Sequence, residues 1–197
     1  MSQDRKTLDV YDARATQYAA LVENTAKDPI LQTFIAALAK GACVLDLGCG
    51  PGVAAAEMAR AGLKPTATDA SREMVELAGK HPGVTATQAG FDEIDGEDIY
   101  DGIWANFSLL HAAREDMPGH LTALRTALRP GGLFHIGMKT GSGSHRDDLG
   151  RLYTYYTQTE LSGLLSDAGL TPFSSTTGRE KGLDGKLADW VVIAAHG

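Results

Sequence analysis

Three glycines at alternate positions mark the stretch of this chain that is best suited to chemistry. Gly48, Gly50 and Gly52 follow an aliphatic run at residues 43–47 and precede an alanine-rich segment at 53–61. The run predicts a short buried strand, and the segment predicts a helix. Glycine lets the backbone turn sharply and approach a ligand that any Cβ would obstruct. Since the free N–H groups of a helix start also point at such a ligand, the stretch predicts a nucleotide cradle.

The spacing of this cradle excludes two common phosphate-binding loops. A dinucleotide fingerprint needs its third glycine at the position of Val53, and a P-loop needs a Lys-Ser/Thr pair where Val53 and Ala54 stand. Asp46, inside the predicted strand, would repel a pyrophosphate. A carboxylate there suits a ligand with a positive charge, such as an ammonium or a sulfonium. A nicotinamide oxidoreductase is therefore disfavoured.

The sequence Val-Leu-Asp-Leu-Gly-Cys-Gly-Pro-Gly at 44–52 resembles motif I of the class I S-adenosylmethionine-dependent methyltransferases. The resemblance implies S-adenosylmethionine as cofactor and S-adenosylhomocysteine as product. It places Asp46, Gly48, Cys49 and Gly50 among the cofactor-binding residues. The alternative is a tight strand-to-helix turn that binds no ligand.

Composition and charge narrow the class of protein. The chain has 197 residues, 43% of them hydrophobic, which fits one globular domain over 1–197. A formal charge of −7 argues against a dedicated nucleic-acid binder, because phosphate neutralisation needs clustered Lys and Arg. No apolar run is long enough to span a membrane, and no secretory signal is evident. Two cysteines and no Cys/His cluster predict a cytoplasmic protein with reduced thiols and no metal.

The N-terminal residues predict two helices. Apolar spacing indicates a helix at 10–23, with Tyr11 and Tyr18 about two turns apart, after a frayed start at 1–10. A second helix is expected at 29–40, with Asp28 as its N-cap. The segment Val-Tyr-Asp-x-x-Ala-x-x-Tyr resembles the start of methyltransferases in which this region, here 1–40, covers the cofactor as a lid. Tyr11 and Tyr18 then contact cofactor or substrate; the alternative is that they pack in the core.

A carboxylate follows the second predicted strand. Residues 64–68 alternate like a strand and end at Asp69, about 20 residues past the glycines, where a ribose-binding acid is expected. The alternative role of Asp69 is a helix N-cap. The resemblance adds Ala70 to the cofactor site and implies that Met74 lies against the adenine, although core packing explains Met74 as well.

The loop after a third predicted strand, 84–88, departs from the resemblance. Many class I methyltransferases have Asp at the position of Gly90, where it accepts from the adenine amino group. Either that contact is lost here or Asp92 provides it. The resemblance implies that Phe91 offers its backbone N–H to the adenine ring.

Polar residues follow the fourth predicted strand, 102–105. Asn106 and His111 come after its carboxyl end, beside the crevice in which open α/β sheets bind ligands. Asn106 could supply a carbonyl or an amide to cofactor or substrate. His111 is a candidate general base, since a neutral imidazole can deprotonate a hydroxyl, thiol or amine. The alternative is a histidine hydrogen-bonded for structure.

The remaining elements complete an α/β sheet. Helices are predicted at 117–128 and 159–168, and strands at 133–138, 171–177 and 187–195. Alternating strands and helices predict a parallel, doubly wound sheet with helices on both faces. The phrase Ala-Leu-Arg-Pro-Gly-Gly-Leu-Phe is common at this point in the same family. The resemblance implies a Rossmann-like sheet of seven strands, mostly parallel with an antiparallel last strand.

A polar loop at 139–158 is the least generic part of the chain. Lys139, Arg146 and neighbouring basic residues give it a positive bias, and it holds half of the six tyrosines. It leaves the carboxyl end of the fifth strand, where loops determine specificity. We therefore expect an anionic or aromatic substrate. Lys139, Arg146 and Tyr156 are candidates for binding it, and Tyr153 and Tyr155 are candidate catalytic residues; the alternative is a solvated loop before an aromatic cluster.

These features together predict a small-molecule methyltransferase, acting as a monomer or homodimer. Alignment of the reactants and exclusion of water account for most of such a reaction, so a missing catalytic triad is no objection. Three alternatives remain open. They are the same fold acting on RNA or protein, a protein that binds S-adenosylmethionine without turnover, and the disfavoured oxidoreductase.

Overall fold

A computed structural model describes residues 4–22 and 26–197 as one α/β unit. Seven strands form one sheet in the order β3-β2-β1-β4-β5-β9-β8, and β6 pairs with β7 apart from it. The strands are β1 (Cys43–Leu47), β2 (Lys64–Asp69), β3 (Thr85–Gln88), β4 (Tyr100–Asn106), β5 (Leu128–Lys139), β6 (Ser144–Arg146), β7 (Leu152–Thr154), β8 (Thr171–Lys181) and β9 (Leu187–His196). The pairings from β3 to β5 are parallel, and β9 is antiparallel to both β5 and β8. The predicted seven-stranded Rossmann-like sheet is confirmed.

Helices cover both faces of the sheet because its central strands are apolar on both sides. In β1 and β4, Leu45 and Ile103 belong to one buried cluster, whereas Val44 and Trp104 belong to the other. The helices are α1 (Arg5–Ala13), α2 (Ala15–Val22), α3 (Pro29–Ala36), α4 (Val53–Arg60), α5 (Arg72–Ala78), α6 (Met117–Ala127) and α7 (Gln158–Asp167). Among the described residues, none of these helices is long and apolar enough to cross a membrane.

The N-terminal prediction is wrong in two respects. Residues 5–10 are helical rather than frayed, because the Asp4 side chain accepts a hydrogen bond from the Thr7 N–H and caps α1. The predicted helix 10–23 is divided at Arg14 into α1 and α2, and its last residue lies outside the described ranges. Asp28 caps α3 as predicted, but α3 ends at Ala36 rather than at residue 40.

The loop predicted at 139–158 contains ordered strands. β6 and β7 pair antiparallel from Ser144 with Thr154 to Arg146 with Leu152, and an isolated bridge joins Thr140 to Tyr156. This hairpin, β6–β7, stands at the carboxyl end of β5. Because parallel strands end at the same edge of the sheet, the hairpin meets the loops that follow β1, β2 and β4.

Candidate functional site

One cavity lies where the carboxyl ends of β1, β2 and β4 meet α1 and α2. It encloses about 560 Å³ of empty space, its open mouth included. Its walls are largely apolar and carry a few polar groups, as is usual for small-molecule sites. The lining residues are Asp4, Thr7, Leu8, Tyr11, Tyr18, Gly48, Gly50, Asp69, Ala70, Met74, Phe91, Phe107, Ser108 and His111.

The glycine loop requires residues without a side chain. Gly48 has φ of +68° and Gly52 has φ of +80°, both in the left-handed region that glycine favours. A Cβ on Gly48 would lie 2.3 Å from Cβ of Ser108, and one on Gly52 would lie 2.7 Å from Cβ of Ala78. The loop therefore keeps its backbone close to both β4 and α5, with Gly48 and Gly50 on the cavity wall.

Asp69 lies on the cavity wall and fixes the glycine loop. Its Oδ2 accepts a hydrogen bond from the Gly50 N–H at 2.9 Å, and its Oδ1 accepts one from the Ser71 N–H at 2.9 Å. Burial raises the pKa of the Asp69 carboxyl, although these N–H groups oppose the shift. Each oxygen retains a further lone pair that a ligand hydroxyl can use. The cap of α5 predicted for Asp69 belongs instead to Ser71, which accepts from the Met74 N–H.

Asp46 and Cys49 lie beneath the loop, not among the described lining residues. Asp46 is 3% exposed, and its Oδ2 accepts from the Ala55 N–H at the start of α4, at 3.2 Å. Burial raises the pKa of Asp46 to about 7. The Cys49 thiol is also buried, which raises its pKa, and its Sγ donates to the Gly50 carbonyl oxygen. Asp46 and Cys49 therefore stabilise the glycine loop through hydrogen bonds to its backbone and to the start of α4.

The side of the cavity predicted to take adenine is formed by Ala70, Met74 and Phe91. Gly90 and Asp92 are not among the described lining residues. The Gly90 N–H donates to Oε2 of Glu93, and a Cβ on Gly90 would lie 2.7 Å from Oδ1 of Asp92. An acid at position 90 would therefore collide with Asp92 unless that side chain moved.

Tyr11 and Tyr18 bring the two N-terminal helices over the glycine loop. Their rings meet edge to face with centroids 5.4 Å apart. A Cβ on Gly50 would lie 3.3 Å from a ring carbon of Tyr18. The Ser71 hydroxyl donates to Oδ1 of Asp12, which ties α1 to the start of α5. Both tyrosines line the cavity, as the lid prediction requires.

His111 is held through both ring nitrogens. Its Nδ1 lies 2.6 Å from the Leu152 carbonyl oxygen, an atom that can only accept, so Nδ1 carries the proton. Its Nε2 then accepts from the Tyr11 hydroxyl at 2.9 Å. Burial lowers the pKa of His111 to about 4, so the ring is neutral at physiological pH. The Nε2 lone pair of this neutral imidazole is directed at the Tyr11 hydroxyl, from which it can take a proton.

Arg151 connects Tyr11 to a buried carboxylate. Its Nη2 lies 2.7 Å from Oδ2 of Asp147, and its Nη1 donates to the Tyr11 hydroxyl oxygen at 3.0 Å. Arg151 is 1% exposed, so this pair is shielded from solvent. In the sequence, Arg151 stands out only as one of the basic residues of the 139–158 loop. The spacing of Asp147 and Arg151, four residues apart in a polar loop, was the available signal for an internal ion pair.

None of the predicted substrate-side residues is among the described lining of the cavity. Tyr153 packs against the His111 ring with centroids 4.7 Å apart, and the Lys139 ammonium lies over the Tyr153 ring. The other three have structural partners: Tyr155 stacks on His145, the guanidinium of Arg114 covers Tyr156, and Arg146 forms an ion pair with Asp4.

Asn106 also points away from the cavity. Its side-chain oxygen lies 3.0 Å from Nε2 of His135, which donates to it, and a Cβ on Gly137 would lie 2.4 Å from the same oxygen. The Asn106 amide therefore joins β4 to β5. Its predicted contact with cofactor or substrate gains no support from this geometry.

Five lining residues were missed by the sequence interpretation: Asp4, Thr7 and Leu8 near the N-terminus, and Phe107 and Ser108 after β4. Phe107 adopts φ of +54°, an uncommon backbone conformation for a non-glycine residue. Ser108 is 6% exposed, and its hydroxyl oxygen has no hydrogen-bond partner among the described residues. No pattern in the sequence identifies Phe107 or Ser108, because both depend on the turn that follows β4. Across residues 4–22 and 26–197, no group of His, Cys, Asp or Glu side chains is arranged to hold a metal ion.

Comparison with known proteins supports one interpretation of this site. The sequence model of a family described as "Methyltransferase domain" matches residues 18–175. The chain is 28% identical to 1,6-didemethyltoxoflavin-N1-methyltransferase of Burkholderia thailandensis, whose crystal structure holds 1,6-didemethyltoxoflavin and S-adenosylhomocysteine. That likeness has a TM-score of 0.72 and covers 92% of this chain and 89% of the other.

Two curated relatives are similar over shorter stretches. The ubiquinone biosynthesis O-methyltransferase of Xanthomonas campestris is 32% identical over 118 residues, which cover 56% of this chain and 49% of the relative. The cypemycin N-terminal methyltransferase of a Streptomyces species is 33% identical over 97 residues, covering 47% and 40%. The chain thus spans about half the length of the curated relatives that it matches.

Proposed function

The chain belongs to the methyltransferase domain family, whose sequence model matches residues 18–175, and we propose that it transfers a methyl group from S-adenosylmethionine to a small molecule. One observation carries the proposal. A single cavity joins the glycine loop and the Asp69 carboxylate to a neutral histidine, His111, whose Nε2 accepts a hydrogen bond from the Tyr11 hydroxyl.

The residues present fit S-adenosylmethionine. The Asp69 carboxylate lines the cavity without an ion-pair partner among the described residues, and negative charge favours a cationic ligand. The Ser108 hydroxyl on the wall has no hydrogen-bond partner among the described residues, so a ligand could supply one. When bound, the cofactor supplies a methyl group activated by the sulfonium, and S-adenosylhomocysteine is the product.

We assign Asp69 to the two ribose hydroxyls, because its lining carboxylate can accept from both. Met74, Ala70 and Phe91 would enclose the adenine. Gly48 and Gly50 would allow close backbone approach, and Tyr18 would cover the ligand from above. These assignments are supported by the shared cavity wall and by the loop's lack of side chains.

The chain's own contribution to methyl transfer is alignment, exclusion of water and removal of one proton. Tyr11 lies on the cavity wall and already donates to Nε2 of His111. We assign the proton path accordingly: the acceptor's O–H or N–H proton moves to the Tyr11 oxygen as the Tyr11 proton moves to Nε2. Arg151 donates to the same oxygen and so stabilises the negative charge that develops there.

A small acceptor is favoured over a macromolecule. α1 and α2 line the cavity, the β6–β7 hairpin binds α1 through the Arg146–Asp4 ion pair, and the protein carries a formal charge of −7. The similar enzyme from Burkholderia thailandensis binds 1,6-didemethyltoxoflavin. Because the cypemycin enzyme is named for a peptide N-terminus, a short peptide belongs in any acceptor panel.

The direct test is release of S-adenosylhomocysteine from S-adenosylmethionine in the presence of an acceptor panel. The panel contains phenols, carboxylic acids, heteroaromatic N–H compounds, a short peptide and RNA. We expect one of the small-molecule groups to raise product release above the acceptor-free rate. Cofactor binding with no product from any group would instead indicate a non-catalytic protein, and product with RNA alone would contradict a small acceptor.

A further inference from the structure

Two hydrogen-bond donors lie on one face of the sheet beside the cavity, and neither has a hydrogen-bond acceptor among the described residues. Lys139 at the end of β5 pairs in register with Trp190 of β9. Directly paired residues of antiparallel strands carry their side chains on the same face of the sheet. The ammonium and the indole N–H therefore belong to one patch.

The Lys139 ammonium is partly buried and forms no direct ion pair within the described residues, although the carboxylates of Asp184, Asp147 and Glu180 lie near enough to raise its pKa. Its Nζ lies 4.0 Å from the centre of the Tyr153 ring, and no carboxylate of the described residues forms an ion pair with it. Burial lowers the pKa of Lys139, and the nearby Asp184 only partly offsets this. A desolvated cation of this kind gains stability from an anion placed within hydrogen-bonding distance.

The Trp190 indole nitrogen is buried without a partner among the described residues. The ring packs closely against Gly178, where a Cβ would be only 2.2 Å from Cζ2. Phe107 packs on it edge to face, with centroids 6.3 Å apart. A buried donor without an acceptor is costly, so its retention needs an explanation.

The patch adjoins the end of the cavity where His111 lies. Phe107 contacts Trp190 and also lines the cavity. Tyr153 contacts both the Lys139 ammonium and the His111 ring. Two other cations of the 139–158 loop already have carboxylate partners: Arg146 pairs with Asp4, and Arg151 pairs with Asp147.

We propose that Lys139 and Trp190 together bind a carboxylate of the methyl acceptor. The acceptor is then a small acid whose anionic end occupies the Lys139–Trp190 patch while its nucleophile faces Tyr11 and His111. A carboxylate has enough lone pairs to accept from the ammonium and the indole N–H at once. The inference rests on the proposed function, because only a methyltransferase has a methyl acceptor. The anion site itself can be tested without turnover.

The test uses the indole N–H resonances of the protein saturated with S-adenosylhomocysteine. The chain has two tryptophans, so a proton–nitrogen correlation spectrum shows two indole signals, and Trp190→Phe assigns them. We expect benzoate to shift the Trp190 signal saturably, and benzamide, which has the same shape without the charge, to leave it in place. The Trp104 signal should not move, because that ring is stacked on His135 in the core.

Two matched lysine variants test whether Lys139 supplies the positive charge that binds benzoate. Lys139→Met should weaken the benzoate response by about tenfold or more, the usual effect of losing a charged hydrogen bond. Lys186→Met, which removes an exposed lysine paired with Asp148, should leave it unchanged. A Trp190 signal that ignores benzoate, moves equally with benzamide, or responds equally in the Lys139 and Lys186 variants would overturn the proposal.

Failure of the anion site and failure of the proposed function give different results. If wild-type protein binds S-adenosylhomocysteine but the Trp190 signal ignores benzoate, only the anion site is wrong. If the protein does not bind S-adenosylhomocysteine, the proposed function is wrong. The benzoate titration without that ligand then still decides whether Lys139 and Trp190 bind a carboxylate.

Discussion

His111 is prepared for proton transfer by its two hydrogen bonds. The Leu152 carbonyl oxygen fixes the proton on Nδ1, and the Tyr11 hydroxyl occupies the lone pair of Nε2. Burial lowers the pKa of the ring to about 4. Because the base is the neutral form, it is available at every pH above about 4 and is lost only below that value.

The first prediction concerns the pH dependence of methyl transfer to an acceptor with an O–H or N–H group. Acidification from pH 8 to 5.5 should not reduce the rate through His111, because protonation of this ring begins only near pH 4. His111→Gln and Tyr11→Phe should each lower kcat by about a hundredfold to ten-thousandfold, the usual contribution of general base catalysis.

Tyr155→Phe is the matched control, since Tyr155 stacks on His145 and is not among the described lining residues. Its kcat should stay near the wild-type value. A fall in the wild-type rate with a midpoint near pH 6.5, the ordinary pKa of histidine, would contradict a buried neutral His111.

At the residue scale, the sequence predicted the positions that depend on local pattern. The glycine loop and Asp69 lie on the cavity wall, and so do Tyr11, Tyr18 and His111. The sequence could not show that the Asn106 side chain is hydrogen-bonded to His135, because the two residues meet only when β4 pairs with β5. Ser108 was not predicted either, because its position on the cavity wall depends on its contact with Gly48, a residue far away in the sequence.

Among the elements, α1 and the β6–β7 hairpin form one covering unit. Arg146 binds Asp4 through two hydrogen bonds of 2.7 and 2.8 Å, and the Leu152 N–H donates to the Thr7 hydroxyl at 2.8 Å. The Arg146 guanidinium holds the pKa of the Asp4 carboxyl well below its usual range. These contacts bridge residues about 140 positions apart in the chain.

The second prediction is that Arg146→Met loosens α1 selectively. Amide hydrogen exchange at Thr7 and Leu8 should accelerate, because the Asp4 side chain that caps the helix loses its partner on the hairpin. Global stability should change by less than about 1 kcal/mol, since the pair is partly exposed.

Arg179→Met is the matched control, because it removes a similar two-bond pair with Asp189 inside the β8–β9 hairpin. Exchange in α1 should be unaffected there. Equal acceleration of α1 exchange in both variants, or none in Arg146→Met, would show that the hairpin does not hold the helix.

The elements were predictable to different degrees. β1 was predicted to the residue and the other main strands to within a few residues, because apolar runs bounded by glycine and proline identify them. The break at Arg14 and the three-residue strands of the hairpin were not predicted. These features depend on contacts between residues far apart in the chain, such as Asp4 with Arg146, and the local sequence does not predict such contacts.

For the molecule as a whole, strand order brings the separate residues of the site together. Placing β1 between β2 and β4 sets the glycine loop beside both Asp69 and the turn that carries Ser108 and His111. Charge is divided along the same edge. Asp46 and Asp69 lie at the glycine loop, whereas Lys139, which forms no ion pair within the described residues, lies beyond His111. This division suits a cationic cofactor and an anionic acceptor, the two ligands that we propose.

The most direct test of the account is calorimetric titration with S-adenosylhomocysteine and with NAD. We expect micromolar affinity for the first and no binding of the second. Asp69→Asn should weaken S-adenosylhomocysteine binding by about 1–3 kcal/mol, the range for a charged hydrogen-bond acceptor. Asp116→Asn, at the start of α6 with no side-chain cap bond, should bind as wild type. Binding of NAD in place of S-adenosylhomocysteine, or equal affinity in the Asp69 and Asp116 variants, would contradict the account.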